Sequence, residues 1–89
     1  MSISEMNTLS NMLTKYKIVI ESKDENLMGV AGIASCIKDF IGYCWIKNLL
    51  TKEVFDKVYN FNIVADKSEH MKFYIECKNI IDGQPSETV

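Results

Sequence analysis

From Leu27 to Leu50 the chain carries only three charged residues, Lys38, Asp39 and Lys47. So apolar a stretch has to leave water, either into a protein core or into a bilayer. A bilayer span needs about 20 apolar residues in a row. Here the uncharged pieces, 27–37 and 40–46, are each shorter than that. A Lys–Asp pair lies between them, at the depth where each charge costs a few kcal/mol in lipid. The stretch is therefore expected to be a core helix. Val30, Ile33, Ala34, Ile37, Phe40, Ile41 and Cys44 recur on its buried side at helical spacing. Gly29 and Gly32 each cost about 1 kcal/mol against alanine in a helix, and close packing of a neighbouring backbone is the expected return. Gly42 offers a place for the helix to end or bend.

Around this element the 89 residues make one small domain. A chain of this size buries only about 60–65% of its unfolded surface. The compact part is expected over residues 1–81. Residues 82–89, with Gly83 and Pro85, read as a mobile tail. Ser2 and Glu5 have capping-box spacing ahead of Ile3, Met6, Leu9, Leu13 and Tyr16, which share a helical face. The period then changes. Tyr16, Ile18 and Ile20 alternate with Lys17, Val19 and Glu21, a strand pattern, and the turn at 22–26 offers Asp24 or Asn26 as a cap. Thr51 caps a further helix in which Val54/Val58 and Phe55/Tyr59 pair at four-residue spacing. Phe61, Ile63 and Ala65 alternate, as do Met71, Phe73, Ile75 and Cys77, on either side of a polar turn at 66–70. That reads as a C-terminal β-hairpin. Phe73, Tyr74, Cys77, Ile80 and Ile81 also fit a helix, with Ser68 and Gly83 as caps. The expected class is α+β: N-terminal helix, strand, long central helix, second helix, hairpin. An all-α bundle is the alternative.

Composition narrows the function classes. All ten basic residues are lysine, and the formal net charge is −2. Without arginine there is no planar fork to grip phosphate or guanine, and an acidic chain lacks the usual footprint of a nucleic-acid binder. The Lys, Ile and Asn bias is that of an AT-rich coding sequence. Met1–Glu5 has no basic region followed by an apolar run, so no secretory signal is read there. Three cysteines cannot all pair within one chain. Buried free thiols in the cytoplasm are the expectation.

Catalytic and cofactor motifs are not read in the sequence. Cys36, Cys44, His70 and Cys77 are zinc-ligand types, but Cys36 and Cys44 in one helix would stand about 12 Å apart along its axis, too far for one tetrahedral ion. No metal or other cofactor is expected. His70, the only histidine, is read as a solvated turn residue. Most carboxylates lie beside a lysine or in a turn, and an enzyme is not expected. Gly29 and Gly32 follow the candidate strand and open a helix, without a full phosphate-binding fingerprint. The strand Tyr16–Glu21, its turn and Gly29 before an apolar helix resemble the first half of an ACT-type ligand-sensing domain. The Pro that usually precedes the Gly is missing, and the later element order differs. The resemblance implies a small-ligand pocket near residues 29–35.

The aromatic residues carry most weight. Eight of them lie between positions 40 and 74, more than one small core takes up. Trp and Tyr are preferred interface anchors, and lysine stays at interface rims. The candidate partner-binding surface is Tyr43, Trp45, Phe55 and Tyr59, with Lys38, Lys47, Lys52 and Lys57 around it. The expected function is a non-enzymatic interaction protein that regulates or inhibits a macromolecular protein partner, of the kind encoded by phages and mobile elements, and that forms a homo-oligomer. A small-ligand sensor at residues 29–35 and lysine-mediated nucleic-acid binding are the alternatives.

Overall fold

A computed structural model describes residues 2–23 and 27–83. It consists of four helices: α1 (Ile3–Glu21), α2 (Leu27–Ile46), α3 (Lys52–Tyr59) and α4 (Lys67–Asp82). None of the described residues lies in a strand. The expected α+β class is therefore corrected to a helical bundle. The predicted caps Asp24 and Asn26, and most of the predicted tail, lie outside the described residues.

Helix α1 starts as the sequence indicates. The Ser2 amide donates to Glu5 Oε1 at 2.9 Å, and the Glu5 amide donates to Ser2 Oγ at 3.2 Å. The predicted strand at 16–21 is instead the last part of this helix. Leu9, Leu13, Tyr16 and Ile20 are buried at steps of four, three and four, so the helical stripe continues through the β-branched run. The alternating pattern fails at Ile18, which is 67% exposed. A strand there would also have had to pair with the predicted hairpin, whose second strand is helix α4.

In α4 the buried residues are His70, Phe73, Tyr74, Cys77 and Ile80. Its N-cap is Asp66, whose side chain accepts from the Glu69 amide at 3.0 Å, rather than Ser68. Residues 61–65 form a loop. Its turn is closed by the Ala65 amide on the Asn62 carbonyl at 3.2 Å and the Val64 amide on Asn62 Oδ1 at 3.1 Å.

Helix α2 passes through Gly42 unbroken. It ends because Asn48 takes a left-handed φ of 60°. The Leu49 amide then reaches the Cys44 carbonyl at 2.9 Å and the Asn48 amide the Trp45 carbonyl at 3.0 Å. This is the Schellman pattern, and asparagine tolerates its backbone better than other residues with a side chain. The turn leads straight to α3, whose N-cap Thr51 accepts from the Val54 amide at 3.3 Å.

The core brings all four helices together, with α1 lying against both α2 and α4. Its α2 part is Val30, Ala34, Ile37, Ile41 and Cys44, inside the predicted stripe, with Ile33 and Phe40 half-buried beside it. Yet α2 is only partly covered. It is long and apolar enough to cross a membrane, and the bundle buries just 28% of its most apolar stretch. The helix expected to be buried thus keeps an open side.

Candidate functional site

The partner surface expected from the aromatics divides in two. Trp45 stacks on Phe55, with centroids 5.0 Å apart and planes at 20°. Phe55 stacks on Tyr59 at 4.7 Å and 28°. Three of the four predicted anchors therefore form one ladder across the α2–α3 seam. Phe55 and Tyr59 meet because they are one turn apart on α3, and Trp45 comes from the last turn of α2. Gly42 opens the seat. A Cβ added there would lie 3.2 Å from Tyr59 Cε1, so the ring sits where a side chain would be. Sequence reasoning took Gly42 for a break. The available signal was its place one turn before Trp45, on the same side of the helix.

Tyr43 is not part of the ladder. Residues two apart on a helix point about 200° from one another, so Tyr43 and Trp45 leave α2 on different sides. Tyr43 is 45% exposed and stacks on Phe40 at 5.8 Å.

The lysines divide with the rings. Lys38 donates to the Phe61 carbonyl at 2.8 Å, and its Nζ lies 5.3 Å from the Tyr59 ring centre. Lys47 lies 6.0 Å from the Tyr43 ring centre. Lys52 forms an exposed ion pair with Asp56 at 3.6 Å, a contact that adds little stability. Lys57 joins Val54, Val58, Glu76, Asn79 and Ile80 around a shallow groove of about 220 Å³ between α3 and α4.

Residues 29–35 take no part in that groove. A Cβ at Gly32 would meet nothing within 4 Å, and one at Gly29 would only touch Val19 Cγ1 at 3.8 Å. The expected close helix packing at these glycines is therefore not what the bundle uses them for. The strand that carried the ACT-type resemblance is helical, so that resemblance does not extend to the fold.

His70 is the largest correction among the candidate chemical residues. It is fully buried in α4, edge-on to the rings of Tyr16 and Phe61. Its Nε2 lies 3.0 Å from the Ile63 carbonyl, which can only accept, so Nε2 carries the proton. Nδ1 then accepts from the Tyr16 hydroxyl at 2.6 Å. Both nitrogens of the neutral ring are satisfied. Burial pushes the imidazole below its ordinary 6.5, against the weaker pull of the Ile63 and Ala65 carbonyls and the Asp66 carboxylate. Burial also raises the Tyr16 phenol. The pair ties α1 to α4 and to the loop before it.

The thiols are dispersed. Cys44 and Cys77 are buried, and burial raises both, Cys77 to about 12. Cys36 is exposed, contrary to expectation. Among the described residues no three His, Cys, Asp or Glu side chains converge as a metal site. No family model, curated protein or solved structure matches this chain.

Proposed function

We propose that this chain is a non-enzymatic interaction protein that regulates or blocks a protein partner through the Trp45–Phe55–Tyr59 ladder. The ladder itself supports this reading most directly. Three stacked rings span a helix seam, with one face open at Tyr59, which is 36% exposed. Lys38 stands over that ring, and Lys52 lies on the same side of α3 as Phe55 and Tyr59, whereas Lys57 faces the groove toward α4. Aromatic anchors with lysines at one edge suit an apolar partner segment that also carries a carboxylate. The small, lysine-rich, arginine-free composition fits an accessory inhibitor from a mobile genetic element.

The test uses Tyr59→Ser combined with Lys52→Glu, changes that spare Trp45 and Phe55. Bait protein of wild type and variant is compared by quantitative mass spectrometry in extract of the native host. The expected result is one partner retained by wild type and lost by the variant, with the variant melting at a lower temperature but still cooperatively and well above that of the assay. A partner retained equally by both baits would reject the ladder as the docking surface, and so would no specific partner on either.

A further inference from the structure

We infer that residues 61–65 form an acid-released clasp: a proton on His70 frees this loop, and with it the Lys38 contact that fixes the Tyr59 end of the aromatic ladder. That the ladder is the face a partner meets rests on the function proposed above; the clasp itself does not.

The loop is held at two carbonyls. His70 Nε2 donates to that of Ile63 at 3.0 Å, and Lys38 Nζ donates to that of Phe61 at 2.8 Å. The Phe61 ring stacks on Phe73 at 4.4 Å and meets the His70 ring edge-on at 5.0 Å. The same Lys38 Nζ lies 5.3 Å from the Tyr59 ring centre. This short loop thus joins a buried imidazole on α4 to the exposed end of the ladder on α3, through a side chain from α2.

The groups around the imidazole decide what a proton does there. Helix α1 supplies the Tyr16 hydroxyl, which donates to Nδ1 at 2.6 Å. Helix α4 supplies the Asp66 carboxylate, one turn earlier, which favours the charged ring. From α2 the charge beside the loop is Lys38, already turned to the Phe61 carbonyl. The loop itself carries no ionisable side chain. Asp66 is exposed and already accepts from the Glu69 amide. It does not balance a cation set among the rings of Tyr16 and Phe61.

A protonated Nδ1 must donate. Tyr16 Oη then becomes the acceptor, and its own proton needs a new partner. Both residues are fully buried, so that partner has to be water let in. Parting α1 from α4 would open the core at Leu9, Leu13, Phe73 and Cys77. Lifting the loop uncovers only the half-buried Phe61, Ile63 and Ala65, since Asn62 and Val64 already face solvent. Local opening takes the segment with the fewest buried contacts, which is the loop. The charged ring strengthens its bond to the Ile63 carbonyl, but burial outweighs that pull while the loop is closed. Opening is therefore favoured by acid. It grows by up to about tenfold per pH unit as pH falls below the ordinary imidazole value, until the closed ring also protonates. Lifting Phe61 takes its carbonyl away from Lys38, and the lysine leaves Tyr59.

The test follows the single histidine and Tyr59 in one NMR titration of the full chain, from about pH 7.5 to about pH 4.5, with far-UV circular dichroism alongside. The expected result is a His70 ring titration centred below 6.5, a Tyr59 ring shift with the same midpoint, and unchanged helix content. His70→Gln should abolish the Tyr59 shift. Lys38→Met keeps the stem and loses the donor, so His70 should still titrate while Tyr59 stays still; it carries the test should His70→Gln fail to fold. A His70 ring that stays neutral throughout overturns the clasp, as does a Tyr59 ring that ignores the His70 titration. A Tyr59 shift that survives in either variant also overturns it, and assigns the shift to Asp66 or another carboxylate. Helix loss at the same midpoint overturns it as acid unfolding. So does rapid modification of Cys77 by dithiodipyridine in that range, because α1 would then be parting from α4. The titration needs no partner: its failure strikes the clasp and leaves the docking surface, and failure of the host-extract assay does the reverse.

Discussion

His70 and Tyr16 show how one hydrogen-bonded pair sets a pH dependence. The neutral imidazole accepts from Tyr16 and donates to the Ile63 carbonyl. A proton on Nδ1 would turn that acceptor into a donor and displace the tyrosine proton. Because burial holds the folded-state imidazole below 6.5, the unfolded chain takes up the proton first as pH falls. The His70 contribution to stability is complete above pH 6.5 and is lost from there downward, until the folded-state ring itself protonates. Thermal melts across this range should show that loss, and His70→Gln should remove the part of the slope that precedes carboxylate titration. Tyr16→Phe leaves Nδ1 buried without a donor and should cost about 1–3 kcal/mol in urea unfolding. None of this was legible around His70. Lys67, Ser68, Glu69 and Lys72 make its surroundings look like a wet turn, but on a helix most of them face out while His70 faces in. The informative signal was Asp66 with Glu69 three residues on, a capping pattern passed over for the alternation that follows.

At the scale of the element, the helical spacing in α2 and both predicted caps at Ser2 and Thr51 were readable, because each depends on neighbours within one or two turns. The failures came where two periods overlapped. Apolar residues at 16, 18 and 20, and at 71, 73, 75 and 77, satisfy a strand pattern. The same stretches contain steps of three and four that satisfy a helix. What decides between them is whether a second strand is present to take the backbone hydrogen bonds, and a local pattern carries no such information. Gly42 was likewise read as a place where α2 could end or bend, and Asn48, where it does end, was not singled out. Asn48→Val places a β-branched residue at φ 60° and should cost about 1–2 kcal/mol. Loss of cooperativity at the α2–α3 corner in amide exchange would locate the damage. An unchanged melting curve would mean that this turn does not hold the corner.

For the molecule as a whole, the aromatic excess was a sound guide to the ladder but not to its limits. Sequence proximity grouped Tyr43 with Trp45, whereas helix geometry sends them to different sides. It also left Cys36 among the buried thiols, although the step from Gly32 to Cys36 already placed it on the open side. Native protein should therefore take up one equivalent of a maleimide, at Cys36, and three once unfolded. Peptide mapping by mass spectrometry reads this directly, and rapid native labelling of Cys44 or Cys77 would contradict the packing described here. The closure of α1 by α4 has a further consequence, in biosynthesis. Of the four described helices α4 is made after the other three, yet its His70 meets a tyrosine 54 positions earlier. At about 5–20 residues per second, the residues from Asn60 to Asp82 take roughly one to five seconds to add. Throughout that interval the nascent chain holds Leu9, Leu13 and Tyr16 without the helix that completes their cover. A chain stalled after Tyr59 would carry three helices and an open core, a substrate for chaperones rather than a folded protein.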